Sequence, residues 1–577
     1  MLLENRQIRP IEKVHAAGGN QPLPAKRKEH MQVAYFSMEI CLDAKIPTYS
    51  GGLGVLAGDM LRSLADLGVP AVGVSLLYKK GYFRQKIHNG NQLEGPVAWK
   101  PEDYMDQLPI KVDVEIEGKI VRVGAWRYLL EGKEGRIPLL FLDTDISENN
   151  KQQREITHRL YAGNDFDRLS QEIVLGVGGI RILEKIGMEP EKYHMNEGHS
   201  TLLALELYRR SSAKNPIEDV RKKCVFTTHT PVPAGHDKFP KELAEKMLGK
   251  YLDEKLKREI YFEDKLNMTY LGLKFSGKIN GVAKKHTEVS KGMFPGYQID
   301  SITNGVHSTY WTSKPFSKLF NKFVPGWQDE PSSLRYMLNA PNDEVWSAHM
   351  AAKEELLEYV NINSKIAFDP DVFTIGFARR ATAYKRADLL FADIEKLKKI
   401  ASKYGMQIVY GGKAHPQDTE GKQIMKKIIE SMGGISGKIP CCYLEEYDVN
   451  VAKLMTAGAD LWLNTPMRPL EASGTSGMKA AHNGVPHFSI LDGWWLEGHV
   501  ENITGWSIGA RPEDSPESKP EQDQHDLYSK LENIILPTYY GNRTEWIGIM
   551  KHAISVNASF FNSHRMVREY IQKSYFK

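Results

Sequence analysis

The sequence predicts an α/β protein made of two doubly wound, Rossmann-like domains that face a central cleft. Apolar strand patterns alternate with helical patterns along most of the chain, and several of these strands are followed by loops rich in glycine or charge. The length of 577 residues also exceeds the usual size of one domain. Hydrophobic residues make up 41% and charged residues 26% of the chain, which excludes a disordered or collagen-like protein.

The first domain is predicted over residues 31–345. We expect the preceding extension, 1–30, to be loosely ordered because it is polar and interrupted by proline. An alternating strand, a glycine-rich loop, a helical repeat and a buried strand follow in that order, which is typical of a parallel sheet. The predicted strands are 31–36, 69–77, 193–196 and 224–228, and the predicted helices are 172–183, 199–209 and 241–256.

The second domain is predicted over residues 346–577, after a long amphipathic helix at 342–360. Its last helix is a candidate to pack back on the first domain, and 511–526 is predicted to be an acidic, proline-rich loop. Ligands of such sheets bind beyond the carboxyl ends of strands, so the chemistry is expected in the loops there. The predicted strands are 372–378, 407–410, 439–443, 461–463 and 487–491, and the predicted helices are 387–404, 417–432 and 449–456.

Charge and cysteine content exclude several classes of function. The 76 Lys and Arg residues nearly balance the 72 Asp and Glu residues, so nucleic acid is not expected as a partner. The four cysteines lack a zinc-binding spacing; we expect buried free thiols and no metal site. Neither a signal peptide nor a membrane-spanning pattern is found, which predicts a cytoplasmic protein without membrane contact. The sequence leaves a homo-oligomer open.

The most informative loop is 471–484, with the sequence EASGTSGMKAAHNG. Its small residues from Ser473 to Gly477 allow a tight turn that aims several N–H groups at one anion. Lys479 follows among apolar neighbours, where a lysine has a depressed pKa and can hold an aldehyde as a Schiff base. The run suits a phosphorylated aldehyde. The alternative, which composition alone favours, is a flexible turn with a solvated lysine.

A second loop, 379–386, carries four cations directly after a predicted strand: Arg379, Arg380, Lys385 and Arg386. Forked arginine donors and a lysine point charge suit a dianion such as phosphate. The alternative is a solvated run of charge. This alternative is weakened because the run stands at the carboxyl end of a strand, where a binding site is expected.

Three weaker candidate binding motifs lie elsewhere in the sequence. The adjacent glycines Gly51 and Gly52 permit backbone amides to approach a ligand oxygen, but the loop lacks a nucleotide-binding fingerprint and is most simply a turn. His229 ends a strand, where capping is its commonest role. Asn304 belongs to an Asn-Gly turn. The last two suit hydrogen bonding to sugar hydroxyls equally well.

Taken together, these segments resemble the α-glucan phosphorylase family, which includes glycogen, starch and maltodextrin phosphorylases. The run from Glu471 to Thr475 followed by Met478 and Lys479 is similar to that family's pyridoxal-phosphate segment. The glycine loop, the cationic loop, and the segments 303–305 and 411–416 also fit. The matches keep their order from about residue 35 to 491, so the resemblance covers most of the chain.

The resemblance implies a glycosyltransferase B-type fold with the active site between the domains. It implies pyridoxal 5'-phosphate on Lys479, with the cofactor's phosphate doing the chemistry. The implied reaction is phosphorolysis of a terminal α-1,4-glucosidic bond by inorganic phosphate, which gives glucose 1-phosphate with retained configuration. By position, the resemblance implies catalytic roles for Lys479, Arg380, Lys385, His229 and Glu471; cofactor contacts for Lys479, Arg379, Lys385, Tyr447, Gly474, Thr475 and Ser476; and substrate contacts for Gly51, Gly52, Leu53, Asn304, Tyr384, Ser473 and Gly474.

Three positions depart from the family pattern. Arg379 stands where a lysine is usual, Asp448 where an arginine is usual, and Gly477 where an asparagine is usual. The chain is also shorter than the regulated animal enzymes, so no allosteric site is carried over. Two alternatives stay open: a sugar-nucleotide-dependent glucan synthase on the same fold, and a glucan-binding protein without turnover.

Overall fold

The computed structural model describes residues 29–161, 163–232 and 235–576. These residues form two large, mainly parallel sheets connected by helices, which confirms the predicted fold class. The predicted extension lies outside the described residues up to position 28, and the first strand already begins at Glu29. The domain boundary near residue 345 stays a prediction.

The first sheet has nine strands in the order β14-β13-β9-β8-β1-β2-β7-β6-β5, and only β6 runs antiparallel to its neighbours. The remaining strands of this half form a small three-stranded sheet and the hairpin β3–β4. The strands are β1 Glu29–Ser37, β2 Ala71–Leu76, β3 Arg84–His88, β4 Asn91–Gly95, β5 Asp106–Ile116, β6 Lys119–Glu131, β7 Arg136–Asp143, β8 Met188–Asn196, β9 Cys224–Thr227, β10 Lys238–Pro240, β11 Tyr261–Phe262, β12 Lys265–Asn267, β13 Lys278–Gly281 and β14 Asp300–Ser301.

One helix predicted in this half, 241–256, is wrong as a single element. It consists of two helices, because Gly249 has a φ of 42° that ends the first and Asp253 caps the second by accepting the N–H of Leu256. The helices are α1 Gly52–Asp66, α2 Lys151–Glu155, α3 Asp165–Ile173, α4 Gly179–Ile186, α5 Leu203–Arg210, α6 Pro216–Lys223, α7 Lys241–Leu248, α8 Glu254–Ile260, α9 Met268–Phe275, α10 Lys284–Met293, α11 Ser308–Trp311 and α12 Lys314–Phe323.

The second sheet has six parallel strands in the order β17-β16-β15-β18-β19-β20. Numbered along the chain this is 3-2-1-4-5-6, the doubly wound order whose direction reverses between its first and fourth strands. The loops after β15 and β18 therefore meet at the point where ligands of such sheets bind. The strands are β15 Thr374–Ala378, β16 Gln407–Gly411, β17 Cys441–Leu444, β18 Leu461–Asn464, β19 His487–Ile490 and β20 Gly505–Ile508.

The predicted loop 511–526 is wrong in its second half, which is helical. Pro520 starts that helix, and Glu521 and Asp523 lie in its first turn, where proline and acidic residues both favour a helix start. The helices of this half are α13 Asn342–Ser364, α14 Ile394–Tyr404, α15 Thr419–Ile435, α16 Val449–Gly458, α17 Ser476–Ala481, α18 Trp495–Gly498, α19 Pro520–Lys530, α20 Leu536–Gly541, α21 Arg543–His552 and α22 Ser563–Tyr570.

The last helix, α22, lies beside α1. Met566, Val567 and Tyr570 are buried in one apolar cluster with Leu61 and other residues of the first sheet and its helix. The four cysteines are buried and unpaired, as predicted. None of the helices in the described part of the chain combines the length and the apolar composition that crossing a bilayer requires.

Candidate active site

The loops after β15 and β18 meet around the carboxylate of Glu471. Its Oε2 lies 2.6 Å from an Nη of Arg379 and 2.8 Å from the Nζ of Lys385. All three side chains are at most a tenth exposed. The second Nη of Arg379 is buried and has no hydrogen-bond partner in the described part of the chain. The switch point therefore holds a shared carboxylate, two cations and one free donor.

Electrostatics keep Glu471 ionised. Burial raises the pKa of its carboxyl, but Arg379 and Lys385 outweigh burial and lower the pKa to about 2. Its backbone N–H donates to Asp492 Oδ2 at 2.9 Å. Burial raises the pKa of Asp492 to about 7, and the Glu471 carboxylate adds to this shift. The site thus contains two neighbouring carboxyl groups with widely separated pKa values.

Lys479 lies in α17, just beyond the turn of small residues. Gly474 has a φ of 70°, a conformation that glycine adopts without strain, and α17 begins two residues later. The Nζ of Lys479 lies 4.0 Å from the ring centroid of Trp311, and no described residue accepts a hydrogen bond from it. Burial lowers the pKa of Lys479 to about 8, so roughly a tenth of its amine is uncharged at pH 7, far more than for an ordinary lysine.

Other side chains of this turn make structural contacts. Ser476 Oγ accepts the indole N–H of Trp462 at 3.0 Å, and the carbonyl of Ser473 accepts the backbone N–H of Trp494 at 2.9 Å. Thr475 precedes α17 without a side-chain capping bond. These contacts fix the backbone between Ser473 and Lys479, so the lysine leaves the turn in one direction.

The predicted glycine loop is the first turn of α1, which starts at Gly52. A carboxylate that sequence reasoning missed, Glu39, accepts the backbone N–H groups of Ser50 and Gly51 and the hydroxyl of Tyr161. A side chain at Gly51 or Gly52 would meet no atom within 4 Å, so open space lies beside them. Leu53 is half-buried in the same turn. Glu39 thus satisfies the amides of Ser50 and Gly51 before the helix, whereas the amides of the first turn have no acceptor within the helix.

His229 and Asn304 follow strands of the first sheet. Nε2 of His229 lies 2.6 Å from Asn196 Oδ1, and its backbone N–H donates to Glu197 at 2.7 Å. Burial lowers the pKa of His229 to about 3, so the ring is neutral. Burial also raises the pKa of Glu197 to about 7. The side-chain oxygen of Asn304 is buried and lacks a hydrogen-bond partner among the described residues.

The cationic loop divides into two parts. Arg386 turns away and donates to Asp523 at 2.8 Å and to the carbonyls of Thr465 and Pro466, so it supports the fold and does not join the site. Arg380 is exposed. Tyr384 is half-buried, and its ring centroid lies 4.4 Å from the Nζ of Lys385.

One departure from the predicted family pattern, Asp448, lies next to Tyr447. The ring of Tyr447 lies 3.0 Å from where a Cβ at Gly411 would stand, so it covers the loop after β16. Asp448 caps α16 by accepting the N–H groups of Asn450 and Val451, both at 2.9 Å. The acidic residue at 448 therefore has a structural role that an arginine could not fill.

The hairpin β3–β4, which sequence reasoning also missed, joins the two halves beside this site. Gln85 donates to the carbonyl of Gly412 at 2.8 Å, and Gln92 donates to that of Ala414 at 2.9 Å and accepts its N–H at 3.0 Å. These bonds hold the loop 411–414 next to Arg379, whose N–H donates to Gly411 O.

Comparison with known proteins gives a consistent family. The family described as carbohydrate phosphorylase matches residues 43–161 and 236–505. Maltodextrin phosphorylase of Thermococcus litoralis is 39% identical, over 94% of this chain and 70% of the relative. Glycogen phosphorylase of Aquifex aeolicus is 35% identical, over 94% of this chain and 86% of the relative. Glycogen phosphorylase of Mycobacterium tuberculosis is 33% identical, over 94% and 70%.

Proposed function

Because the chain belongs to the carbohydrate phosphorylase family of enzymes, we propose that it catalyses phosphorolysis of terminal α-1,4-glucosidic bonds. The proposed product is glucose 1-phosphate with retained configuration. The substrate class follows from relatives named maltodextrin phosphorylase and glycogen phosphorylase. The observation that carries the proposal is the meeting of Arg379, Lys385 and Glu471 at the switch point of the second sheet, with Lys479 buried in the helix that follows Glu471.

We propose pyridoxal 5'-phosphate as the cofactor, and the residues present fit it. Lys479 offers a buried amine with a lowered pKa and no acceptor within the described residues. Arg379 offers a buried donor without a partner, and Trp311 and Tyr447 offer aromatic rings. We assign Gly474, Thr475 and Ser476 to the phosphate end of the cofactor. When bound, the cofactor supplies a second phosphate group that acts as acid and base.

The cations of the site stabilise the negative charge of phosphate and of the departing oxygen. Breaking the glucosidic bond leaves positive charge on the sugar and negative charge on the departing oxygen. Lys385, Arg379 and Arg380 attract inorganic phosphate and offset its repulsion from a neighbouring anion. The carboxylate of Glu471 holds Arg379 and Lys385 in place, since one oxygen accepts from both. The cationic groups are therefore fixed before substrate arrives, which reduces the reorganisation that the reaction requires.

The residues of the first sheet act on the sugar. His229 donates from Nε2 to Asn196, so its Nδ1 is left as an acceptor for a sugar hydroxyl. The partnerless oxygen of Asn304 is a second acceptor. The amides of the first turn of α1, at Gly52 and Leu53, have no acceptor within the helix and are assigned to phosphate. Holding the sugar close to phosphate lowers the entropic part of the barrier.

The two alternatives are less well supported. A sugar-nucleotide-dependent synthase has no use for a buried, partnerless amine such as Lys479. A glucan-binding protein without turnover does not require the fixed cations at Glu471. The cytoplasmic location and a homo-oligomeric state stay predictions.

The test is analysis of the product. Purified protein is incubated with maltodextrin with and without phosphate, and the sugar products are followed by phosphorus and proton NMR. The proposal expects α-glucose 1-phosphate only when phosphate is present. Release of free glucose alone, or of the β-anomer, would contradict it, and turnover that depends on a sugar nucleotide would favour the synthase.

A further inference from the structure

Residues 561–565, which include the first turn of α22 and the two residues before it, lie against the loop 303–307 that follows β14. The N–H of Val306 donates to Phe561 O at 3.1 Å, and the N–H of Ser563 donates back to Val306 O at 2.9 Å. A Cβ at Gly305 would stand 2.3 Å from the carbonyl oxygen of Asn562, so only glycine allows these backbones to touch. The C-terminal segment and the loop of Asn304 therefore form one packed unit.

Arg565 is the central side chain of this unit. Its two Nη atoms donate to the carbonyls of Thr303 at 2.8 Å and Asn304 at 3.0 Å. Its remaining bonds go to Glu569 at 2.8 Å and to Phe560 O at 3.1 Å, and the side chain is 17% exposed. A planar, forked donor that grips two successive carbonyls fixes the peptide between them in one orientation.

Asn304 belongs to the backbone segment whose carbonyls accept hydrogen bonds from Arg565. The N–H of Asn304 donates to Val282 O at 3.0 Å, and the hydroxyl of Thr303 donates to Glu497 at 2.9 Å. These bonds leave the side-chain oxygen of Asn304 as the buried acceptor without a partner in the described chain. Any rotation of this peptide would move that oxygen, and Arg565 is the group that opposes rotation from the C-terminal side.

A second contact supports the same unit. Asp66 Oδ2 accepts from Nε2 of His307 at 2.8 Å and lies 3.2 Å from Nε2 of His564. These three side chains have the spacing of a metal site. However, Nδ1 of His307 accepts the N–H of Tyr310 at 3.2 Å, which places the proton on Nε2 and removes the lone pair that a metal would need there. The cluster is therefore a hydrogen-bonded bridge between the loop, α1 and α22.

We propose that Arg565 is a positioning residue for glucan binding. By holding the carbonyls of Thr303 and Asn304, it fixes the side chain of Asn304 where the glucosyl unit binds. The inference rests on the proposed function, which assigns Asn304 to the sugar.

A double-mutant cycle tests this inference. We would measure kcat/KM for maltodextrin, KM for phosphate and cofactor absorbance in R565M, N304A and the double variant. R565M is expected to lower kcat/KM for maltodextrin about 10- to 100-fold, as a misplaced binding group does. The KM for phosphate and the absorbance should not change. Because Arg565 acts through Asn304, adding R565M to the N304A variant should lower kcat/KM for maltodextrin only slightly further. If the fold-loss in kcat/KM of the double variant equals the product of the two single fold-losses, the inference is overturned.

R568M is the matched control. Arg568 lies in the same helix and pairs with Glu330 at 2.8 Å on the surface, so its removal should leave kcat/KM unchanged. If R565M does not fold, R565K replaces it, since lysine keeps the charge but lacks the fork. An R565K variant with unchanged kcat/KM for maltodextrin would contradict the inference.

Failure of the proposed function is recognised separately. In that case the wild-type protein releases no glucose 1-phosphate. Calorimetric measurement of maltodextrin binding then tests whether Arg565 contributes to glucan binding. Weaker binding by R565M than by R568M supports its role, and equal binding refutes it.

Discussion

Lys385 and Glu471 lie 86 positions apart in the chain, yet their side chains are joined by a hydrogen bond of 2.8 Å. The contact arises because β15 and β18 are neighbours in the sheet, although β16 and β17 lie between them in sequence. At this reversal of strand order, the loops after the two strands face one another. The topology itself therefore assembles the anion-binding part of the proposed site.

Replacing Lys479 with Ala should abolish both phosphorolysis and covalent attachment of the cofactor, because it removes the buried amine that the proposal assigns to the cofactor. The measurement is the visible absorbance of the purified variant, together with mass spectrometry of peptides after borohydride treatment. Lys453 is the matched control, since burial also lowers its pKa to about 8. K453A should retain the added mass on Lys479. Added mass on another lysine in K479A would contradict the assignment.

Adjacent cations of the cationic loop should respond differently to replacement. K385M is expected to lower kcat/KM for phosphate about 100- to 1000-fold, because it removes a fixed charge next to the transferred group. R386M leaves Asp523 buried without its partner, so it should lower stability by about 3 to 5 kcal/mol. Steady-state kinetics and thermal unfolding separate the two effects. Equal kinetic losses per folded molecule would show that Arg386 also serves the site.

The pairing of Glu471 predicts a pH-dependent stability. Its pKa is lowered from 4.5 to about 2, so its ion pairs stabilise the fold above the unfolded pKa and lose this effect as pH falls towards 2. The shift corresponds to about 3 kcal/mol. We therefore expect E471Q to unfold at a lower temperature than wild type at pH 7, and the two midpoints to converge as pH is lowered from about 5 to 2. A difference that stays constant over this range would refute the ionised pair.

The backbone beside Arg379 should not tolerate a side chain at Gly412. This residue has a φ of 141°, and a Cβ would stand 1.9 Å from Arg379 O. G412A should therefore destabilise the protein by at least about 1 to 3 kcal/mol and lower activity by moving Arg379. G437A is the control, because a Cβ there meets nothing within 4 Å. Thermal unfolding and turnover are measured for both variants. A G412A variant with the stability and activity of wild type would contradict this prediction.

Local sequence signals predicted much of the site. Arg379 and Lys385 follow β15 closely, and Lys479 follows a run of small residues in the connection after β18, so these local patterns were enough to single them out. Glu39 could not be predicted, because its bonds to the glycine loop depend on how the chain folds back after β1. The same holds for Trp311 beneath Lys479 and for Gln85 and Gln92, whose partners lie in the other half of the chain.

The fold shows the same division between local and distant information. Five of the six strands of the second sheet, β15 to β19, are short apolar runs that the sequence pattern predicted, whereas β20 was not predicted. The antiparallel strands β5 to β7 were missed, since β5 alternates exposed and half-buried positions and reads as polar surface until β6 pairs with it. The helix predicted at 241–256 failed at Gly249, where the chain adopts a positive φ that the helical periodicity conceals.

The central claim is that a cofactor held by Lys479 makes glucan cleavage depend on phosphate. The most direct test removes the cofactor from the wild-type protein, adds back pyridoxal 5'-phosphate, and measures glucose 1-phosphate released from maltodextrin against phosphate concentration. We predict no release from the depleted protein and a saturable, phosphate-dependent rate after addition. Undiminished release by protein shown to contain no pyridoxal phosphate would contradict the account.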